Sequence, residues 1–247
     1  MIKYLTPLNI FRFMNVGVLF SGGKDSTFAL YWAVQQGWDV RCLITMQSVN
    51  PASFMFHTPN IFLTQLQAEC LGIPLLYVPT LGAKEEELSD LKAALSRAKT
   101  LHEIDTVVTG AVASDYQEER INRISQELGL RTFSPLWHKN QEELVSEMID
   151  SGFVCKISAV AAMGLDESYL GATINHALLS KLKALRDQFH IHLAGEGGEF
   201  ESLVMDCPLF RKQLVIDEAE KRMDGQWNGV WVVKRAHTVD KPHPPTL

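Results

Sequence analysis

One short stretch near the start of the chain constrains the fold more than any other. The apolar run at residues 16–20 (VGVLF) leads into residues 21–26 (SGGKDS), and apolar residues then recur at helical spacing up to Gly37. A strand, a glycine loop and a helix in this order aim backbone N–H groups and the positive end of the helix at an anion. The sequence therefore predicts a phosphate-binding loop at the end of a strand.

The residues of this loop suit a phosphate ligand. Gly22 and Gly23 would let the backbone bend sharply and approach the ligand closely, because neither carries a side chain. Ser21 and Ser26 add hydroxyl donors, and we expect Ser26 to cap the helix that follows. Lys24 supplies positive charge. We expect the side chains of Ser21 and Lys24 to face the surface and to bury little.

Asp25 is unusual in such a loop, because a carboxylate beside phosphates repels them unless a cation lies between. Mg²⁺ prefers carboxylate and phosphate oxygens, so Asp25 is the expected metal ligand. A partner for the dipole of the following helix is the alternative role.

Beyond the loop, short apolar runs alternate with stretches of helical periodicity. Apolar strands separated by helices are typical of a parallel sheet that is covered on both faces. The regular order breaks near Gly152, which indicates a second unit. We therefore expect an α/β protein with a Rossmann-like parallel sheet and a smaller C-terminal α+β domain. The expected divisions are an N-terminal extension (1–13), a nucleotide domain (14–140), a substrate domain (141–239) and a flexible tail (240–247).

Composition narrows the class of protein. Of the 247 residues, 46% are hydrophobic and 21% are charged, as in ordinary globular proteins. The net charge of −6 argues against a protein that holds nucleic acid mainly by neutralising phosphates. No apolar run approaches the ~20 residues that span a bilayer, and the N-terminus lacks a signal-peptide pattern. We expect a cytoplasmic protein that binds neither membranes nor, stably, nucleic acid.

Two further segments occur where ligands of a parallel sheet bind, beyond the carboxyl ends of strands. Gly110 follows the fourth apolar strand, and we expect it to touch a nucleotide. Ser114 and Asp115 come shortly afterwards, although Ser114 is equally well explained as a helix cap, with Gln117 completing a capping box. His57 precedes the second crossover helix. A hydrogen bond to phosphate or ribose and a structural role are both open for it.

A second glycine-rich loop at residues 195–202 (GEGGEFES) crowds three acids among three glycines. Such a loop costs folding entropy without an evident return in packing. Crowded carboxylates can bind a cation, hold an amine or act as general bases. A solvated acidic turn is the alternative. The acids are Glu196, Glu199 and Glu201, and the glycines are Gly195, Gly197 and Gly198.

The loop SGGKDS resembles the SGGxDS loop of the ATP-pyrophosphatase superfamily, which grips the β and γ phosphates of ATP as pyrophosphate leaves. Within that superfamily, nearly the whole chain resembles the diphthine–ammonia ligases. The resemblance rests on the segments SGGKDSTFALYWA, MFHTPN, GAVASDYQEERI, PLWHKNQEEL and GEGGEFESLVMDCP, in that order. It implies an adenine nucleotide alpha hydrolase-like fold with the substrate carboxylate held between two domains.

The resemblance also implies a reaction. Family members use ATP and ammonium to amidate the diphthine carboxylate on translation elongation factor two through an acyl-adenylate, with AMP and pyrophosphate as by-products. Mg²⁺ is expected to accompany ATP. Together with the residue chemistry, this predicts catalytic roles for Lys24, Asp25, Glu199 and Glu201. Nucleotide contacts are predicted for Ser21, Gly22, Gly23, Lys24, Asp25, Ser26, His57 and Gly110. Substrate contacts are predicted for Ser114, Asp115, Glu196, Gly197, Gly198, Glu199 and Glu201.

Two other functions stay open at this point. An RNA-modifying ATP-pyrophosphatase, which adenylates a nucleobase carbonyl, would favour basic patches or sulfur-handling cysteines, and the sequence shows neither. A nucleotide-sensing module without catalysis would share the architecture but turn ATP over slowly or not at all.

Overall fold

The computed structural model describes residues 14–48, 60–81 and 86–242. The strands of the first half are β1 (Asn15–Leu19), β2 (Asp39–Ser48), β3 (Leu75–Thr80), β4 (Thr106–Val108) and β5 (Arg131–Phe133). The helices between them are α1 (Lys24–Gln35), α2 (Thr64–Leu71), α3 (Glu86–His102) and α4 (Asp115–Glu127), and a 3-10 turn (Ile61–Leu63) precedes α2.

The described part of the second half contains two helices and five strands. The helices are α5 (Gln141–Asp150) and α6 (His176–Phe189), with a 3-10 turn at Glu167–Tyr169. The strands are β6 (Val154–Ala161), β7 (Thr173–Ile174), β8 (Phe200–Asp206), β9 (Lys212–Met223) and β10 (Asn228–Asp240). Within the described ranges, no helix has both the length and the apolar character needed to cross a membrane.

Strand β1 lies at the centre of a five-stranded sheet with the order β3-β2-β1-β4-β5, in which every pairing is parallel. The chain extends to one side of β1 with β2 and β3, and then returns to its other side with β4. Such a reversal opens a crevice at the carboxyl ends of the two central strands. The loops after β1 and β4 therefore flank that crevice, and the predicted parallel sheet is confirmed.

The second sheet is antiparallel, with the order β7-β6-β10-β9, and β8 also pairs with β6. Loops join its strands, apart from the hairpin between β9 and β10 and the helix α6 between β7 and β8, so the regular alternation of strand and helix stops after the first sheet. The predicted α+β character of the second half is confirmed.

Strand β2 shows how the parallel sheet divides the core. Successive side chains of a strand point to opposite faces, and here Leu43 joins one apolar cluster while Cys42 and Ile44 join another. The Ile44 cluster fills the space under α3 and α4. The Leu43 cluster contains α1 and α2 and continues into the second sheet. Phe28 of α1, for example, packs edge-on against Phe153 with ring centroids 5.3 Å apart.

Candidate active site

The phosphate loop lies between β1 and α1, as predicted. Gly22 has φ of +77°, a left-handed conformation that favours glycine. Gly23 occupies the N-cap position of α1. The prediction that Ser26 caps the helix is wrong, because Ser26 lies within the first turn. Its hydroxyl instead accepts a hydrogen bond from the Ser21 N–H at 3.2 Å and donates to the Gly23 carbonyl at 3.2 Å, which closes the loop on itself.

A cavity of about 450 Å³ opens beside this loop. It brings together three segments that are distant in sequence: the phosphate loop, the loop after β4 and the acidic loop of residues 195–202. The residues of these segments that line it are Ser21, Gly23, Lys24, Asp25, Ser26, Gly110, Ser114, Glu196, Gly197, Gly198, Glu201 and Ser202. Most of the predicted site residues therefore share one cavity.

The other part of the cavity wall is apolar. Strand β2 contributes Ile44 and Met46, the 3-10 turn contributes Ile61 and helix α4 contributes Ile121. Such a surface suits the faces of a nucleobase, while the phosphate loop suits its polyphosphate. The sequence analysis did not find these residues, because each of them fits the pattern of an ordinary core position.

Lys24 is buried, contrary to the expectation of a surface side chain. Its side chain is only 4% exposed, and its ammonium donates to Asp25 Oδ2 at 2.7 Å and to the backbone oxygen of Ala194. Burial alone would lower the pKa of Lys24. The neighbouring carboxylates, Asp25 foremost and then Glu196 and Glu201, outweigh that effect and raise the pKa, so the group stays charged.

Asp25, Glu196 and Glu201 give the cavity a negative wall, since the three carboxylates face the buried ammonium of Lys24. Within the described residues, no three His, Cys, Asp or Glu side chains are grouped to hold a metal ion by themselves. Mg²⁺ usually binds one or two carboxylates together with substrate phosphates, so Asp25 fits the ion only in company with ATP.

Glu196 reaches across the cavity to the loop after β4. Its Oε2 accepts a hydrogen bond from the backbone N–H of Ala113 at 3.1 Å. Burial, and secondly the charge of Asp25, raise the pKa of Glu196 above its ordinary value, although Lys24 and the Ala113 N–H oppose the shift. A carboxyl group with a raised pKa in a cavity suits proton transfer.

Glu199 does not line the cavity, which corrects the expectation that it contacts the substrate there. Its two carboxylate oxygens accept hydrogen bonds from the backbone N–H groups of His192 and Gly197, each at 2.8 Å. The side chain therefore holds the acidic loop in shape from within.

Gly110 packs against the start of α1. A Cβ atom built on it would lie 2.6 Å from the Ser26 nitrogen and 2.7 Å from the carbonyl carbon of Asp25, so the position requires glycine. Ser114 is the N-cap residue of α4, yet its hydroxyl makes no capping bond and the capping box with Gln117 is not formed. Asp115 is exposed and does not line the cavity. His57 lies outside the described residues.

Three hydrogen bonds made by two side chains that the sequence did not predict join the halves of the site. The side-chain amide of Gln67, on α2, donates to the Gly22 oxygen at 2.9 Å and to the Val204 oxygen at 2.8 Å. The hydroxyl of Ser202, on β8, accepts from the Lys24 N–H at 3.1 Å. Strand β8, which carries Glu201, is therefore bonded directly to the phosphate loop.

Two domain models of one protein family match the chain in succession. Residues 14–132 match the diphthamide synthase N-terminal domain, and residues 140–239 match the diphthamide synthase C-terminal domain. A diphthine–ammonia ligase of Schizosaccharomyces pombe is 35% identical over 93% of this chain and 40% of its own length. The chain thus spans less than half of that longer relative.

Shorter relatives match over most or all of their length. A diphthine–ammonia ligase of Rattus norvegicus is 34% identical over 84% of this chain and 84% of its own length. One of Danio rerio is 34% identical over 95% of this chain and 100% of its own length. With both domains matched in order and full-length relatives above 30% identity, the chain belongs to the diphthamide synthase family, the family of the diphthine–ammonia ligases.

Proposed function

We propose that this chain is a diphthine–ammonia ligase that uses ATP to convert the diphthine carboxylate of translation elongation factor two into an amide. One observation carries the proposal: a single cavity is lined by a phosphate loop on one side and by the acids of a second loop on the other. A nucleotide-binding protein needs the first of these features. An enzyme that transfers the activated acyl group to ammonia also needs the second.

ATP would lie along the length of the cavity. The β and γ phosphates would meet the backbone N–H groups and hydroxyls of residues 21–26 at the N-terminus of α1. The adenine would pack between Met46 and Ile121 on the apolar wall. Gly110 would bring the loop after β4 directly against the start of α1, beside the α-phosphate, because a side chain there would clash with the Ser26 and Asp25 backbone.

The reaction would proceed in two displacements. A carboxylate oxygen of diphthine attacks the α-phosphorus, the bond from that phosphorus to the bridging oxygen breaks, and pyrophosphate leaves. Ammonia then attacks the acyl carbon, the bond to the phosphate oxygen breaks, AMP leaves, and the nitrogen releases one proton to solvent to give the neutral amide. Ammonia arises when ammonium gives a proton to a base, and Glu196, with its raised pKa, is the residue we assign to that step.

Mg²⁺ would be held by Asp25 together with phosphate oxygens. It would neutralise part of the negative charge on the departing pyrophosphate. Glu196 and Glu201 would attract the two cations that the reaction brings together, ammonium and the cationic part of diphthine. The negative cavity wall therefore serves the acceptor half of the reaction. We further expect the enzyme to act in the cytoplasm.

The proposal is tested by incubating the protein with ATP, magnesium, ammonium and elongation factor two that carries diphthine. Formation of AMP together with the amide is the expected result. AMP formed with tRNA in place of the factor, or tRNA retained on a filter at moderate salt, would favour an RNA-modifying enzyme. ATP binding without AMP formation would favour a nucleotide sensor.

A further inference from the structure

The ammonium group of Lys24 is enclosed by protein groups. Two of its three N–H donors are engaged by Asp25 Oδ2 and the Ala194 oxygen. The ring of Phe200 lies on a further side, with its centroid 5.4 Å from Nζ, where the face of an aromatic ring attracts a cation. Two of its donors are therefore committed to Asp25 and to the residue that precedes the acidic loop rather than to a ligand.

The contacts of Lys24 coincide with the two ends of the acidic loop. Ala194 immediately precedes the loop, and Phe200 is the residue of the loop at which β8 begins. The two ends meet closely, because a Cβ atom built on Gly195 would lie 2.6 Å from the Phe200 oxygen. The ammonium of Lys24 therefore binds the point at which the loop leaves and rejoins the second sheet.

Lys24 is also fixed to the phosphate loop. It is the first residue of α1, and its own N–H donates to the Ser202 hydroxyl on β8. A buried charge is retained only when it is paired and hydrogen-bonded, because desolvation without partners is costly. The pairing with Asp25 and Ala194 thus requires the acidic loop to stay at its present distance from the phosphate loop.

We propose that Lys24 is a positioning residue, which pins both ends of the acidic loop against the phosphate loop and does not itself bind phosphate. This role rests on the proposed function, because its consequence is that Glu196 and Glu201 stand beside the carboxyl group that ATP activates. Loss of the ammonium would release the loop and uncouple the two halves of the reaction, while the nucleotide site would remain.

The test compares Lys24→Met with Lys92→Met. Methionine keeps an unbranched side chain of similar length and removes the charge. Lys92 forms an exposed ion pair with Glu127 at 2.8 Å and serves as the control. The two readouts are ATP affinity by calorimetry and hydrogen exchange of the backbone amides of residues 195–201. Neither readout requires an acceptor substrate, so the test stands even if the wild-type protein makes no amide from diphthine.

Lys24→Met is expected to bind ATP within about threefold of wild type, a change of less than 1 kcal/mol. Exchange of the loop amides should be at least about tenfold faster, because the loop then opens locally. In the ligase assay, the variant should form more AMP per amide than wild type. Lys92→Met should match wild type in the ligase assay as well as in the two readouts. Unchanged loop exchange, or a loss of ATP affinity of about tenfold or more, would overturn the proposal.

A second variant covers the case in which Lys24→Met does not fold. Phe200→Leu keeps an apolar side chain at a buried position and removes the aromatic face that Nζ approaches. Faster exchange of residues 195–199 with unchanged ATP affinity is again the expected result. If exchange in this variant equals that of wild type, the loop does not depend on the contact and the assignment of Lys24 fails.

Discussion

Gln67 and Gly22 are joined by a buried hydrogen bond, in which the side-chain amide of Gln67 donates to the Gly22 oxygen at 2.9 Å. The same amide donates to Val204 on β8, and the Val204 N–H in turn donates to Gly22 at 3.0 Å. One fully buried side chain therefore ties the phosphate loop to the strand that carries Glu201. The two halves of the site are thus held together by backbone atoms as well as by charge.

Gln67→Met should lower the free energy of unfolding by about 1–3 kcal/mol, because two buried hydrogen bonds are lost. ATP affinity should fall with it, since the Gly22 backbone is then less firmly held. Thermal melting and calorimetry measure the two effects. Gln65→Met, at an exposed position of the same helix, is the matched control. Equal melting temperatures for the two variants would show that the Gln67 contacts contribute nothing.

Asp25→Asn should reduce the rate of AMP formation by about 100-fold or more, because the carboxylate is needed most when charge moves onto the departing pyrophosphate. Asparagine retains an oxygen that Lys24 can bind, so the buried ammonium keeps a partner. ATP affinity should therefore change much less than turnover. Asp187→Asn, on an exposed turn of α6, is the control. Normal turnover in Asp25→Asn would remove Asp25 from the catalytic residues.

Glu196→Gln should alter the dependence of stability on pH. The folded state raises the pKa of Glu196 above 4.5, through burial first and the charge of Asp25 second. Because the folded protein holds this proton more tightly, the group's contribution to stability falls as pH rises from 4.5 through the raised value. Glutamine does not titrate. The difference in melting temperature, variant minus wild type, should therefore increase across this pH window and stay constant above it.

The same variant should form amide slowly at every pH, since it has no carboxylate to accept the ammonium proton. Melting temperatures of wild type and Glu196→Gln that change in parallel across the pH range would contradict the linkage. An unchanged rate of amide formation would contradict the assignment of Glu196 as the base.

Glu201→Gln and Glu199→Gln should differ, although the two acids lie in one motif. Glu201 lines the cavity, so its variant should bind ATP normally, keep wild-type hydrogen exchange in the acidic loop and lose amide formation by about tenfold or more. Glu199 accepts from two backbone N–H groups, so its variant should show faster exchange at residues 192–198. Glu218→Gln on β9 is the exposed control. Identical behaviour of the two variants would refute this division.

The parts of the molecule that could be predicted from sequence are those that local chemistry decides. The strand, loop and helix around residues 15–35 are contiguous, so their periodicity and glycines sufficed. The burial of Lys24 could not be predicted in this way, because its partner Ala194 is 170 residues away. The inward turn of Glu199 depends on the conformation of the loop. Met46 and Ile121 look like core residues until the fold places them on one wall.

We propose that one cavity both activates a carboxylate with ATP and then amidates it. The most direct measurement follows AMP and the modified residue of diphthine-bearing elongation factor two in the same reaction, with ammonium labelled with nitrogen-15. We predict one labelled amide for each AMP formed, neither product when the factor is left out, and no amide when ATP or ammonium is left out. AMP formation that is independent of the factor, or amide formation that is independent of ATP, would contradict it.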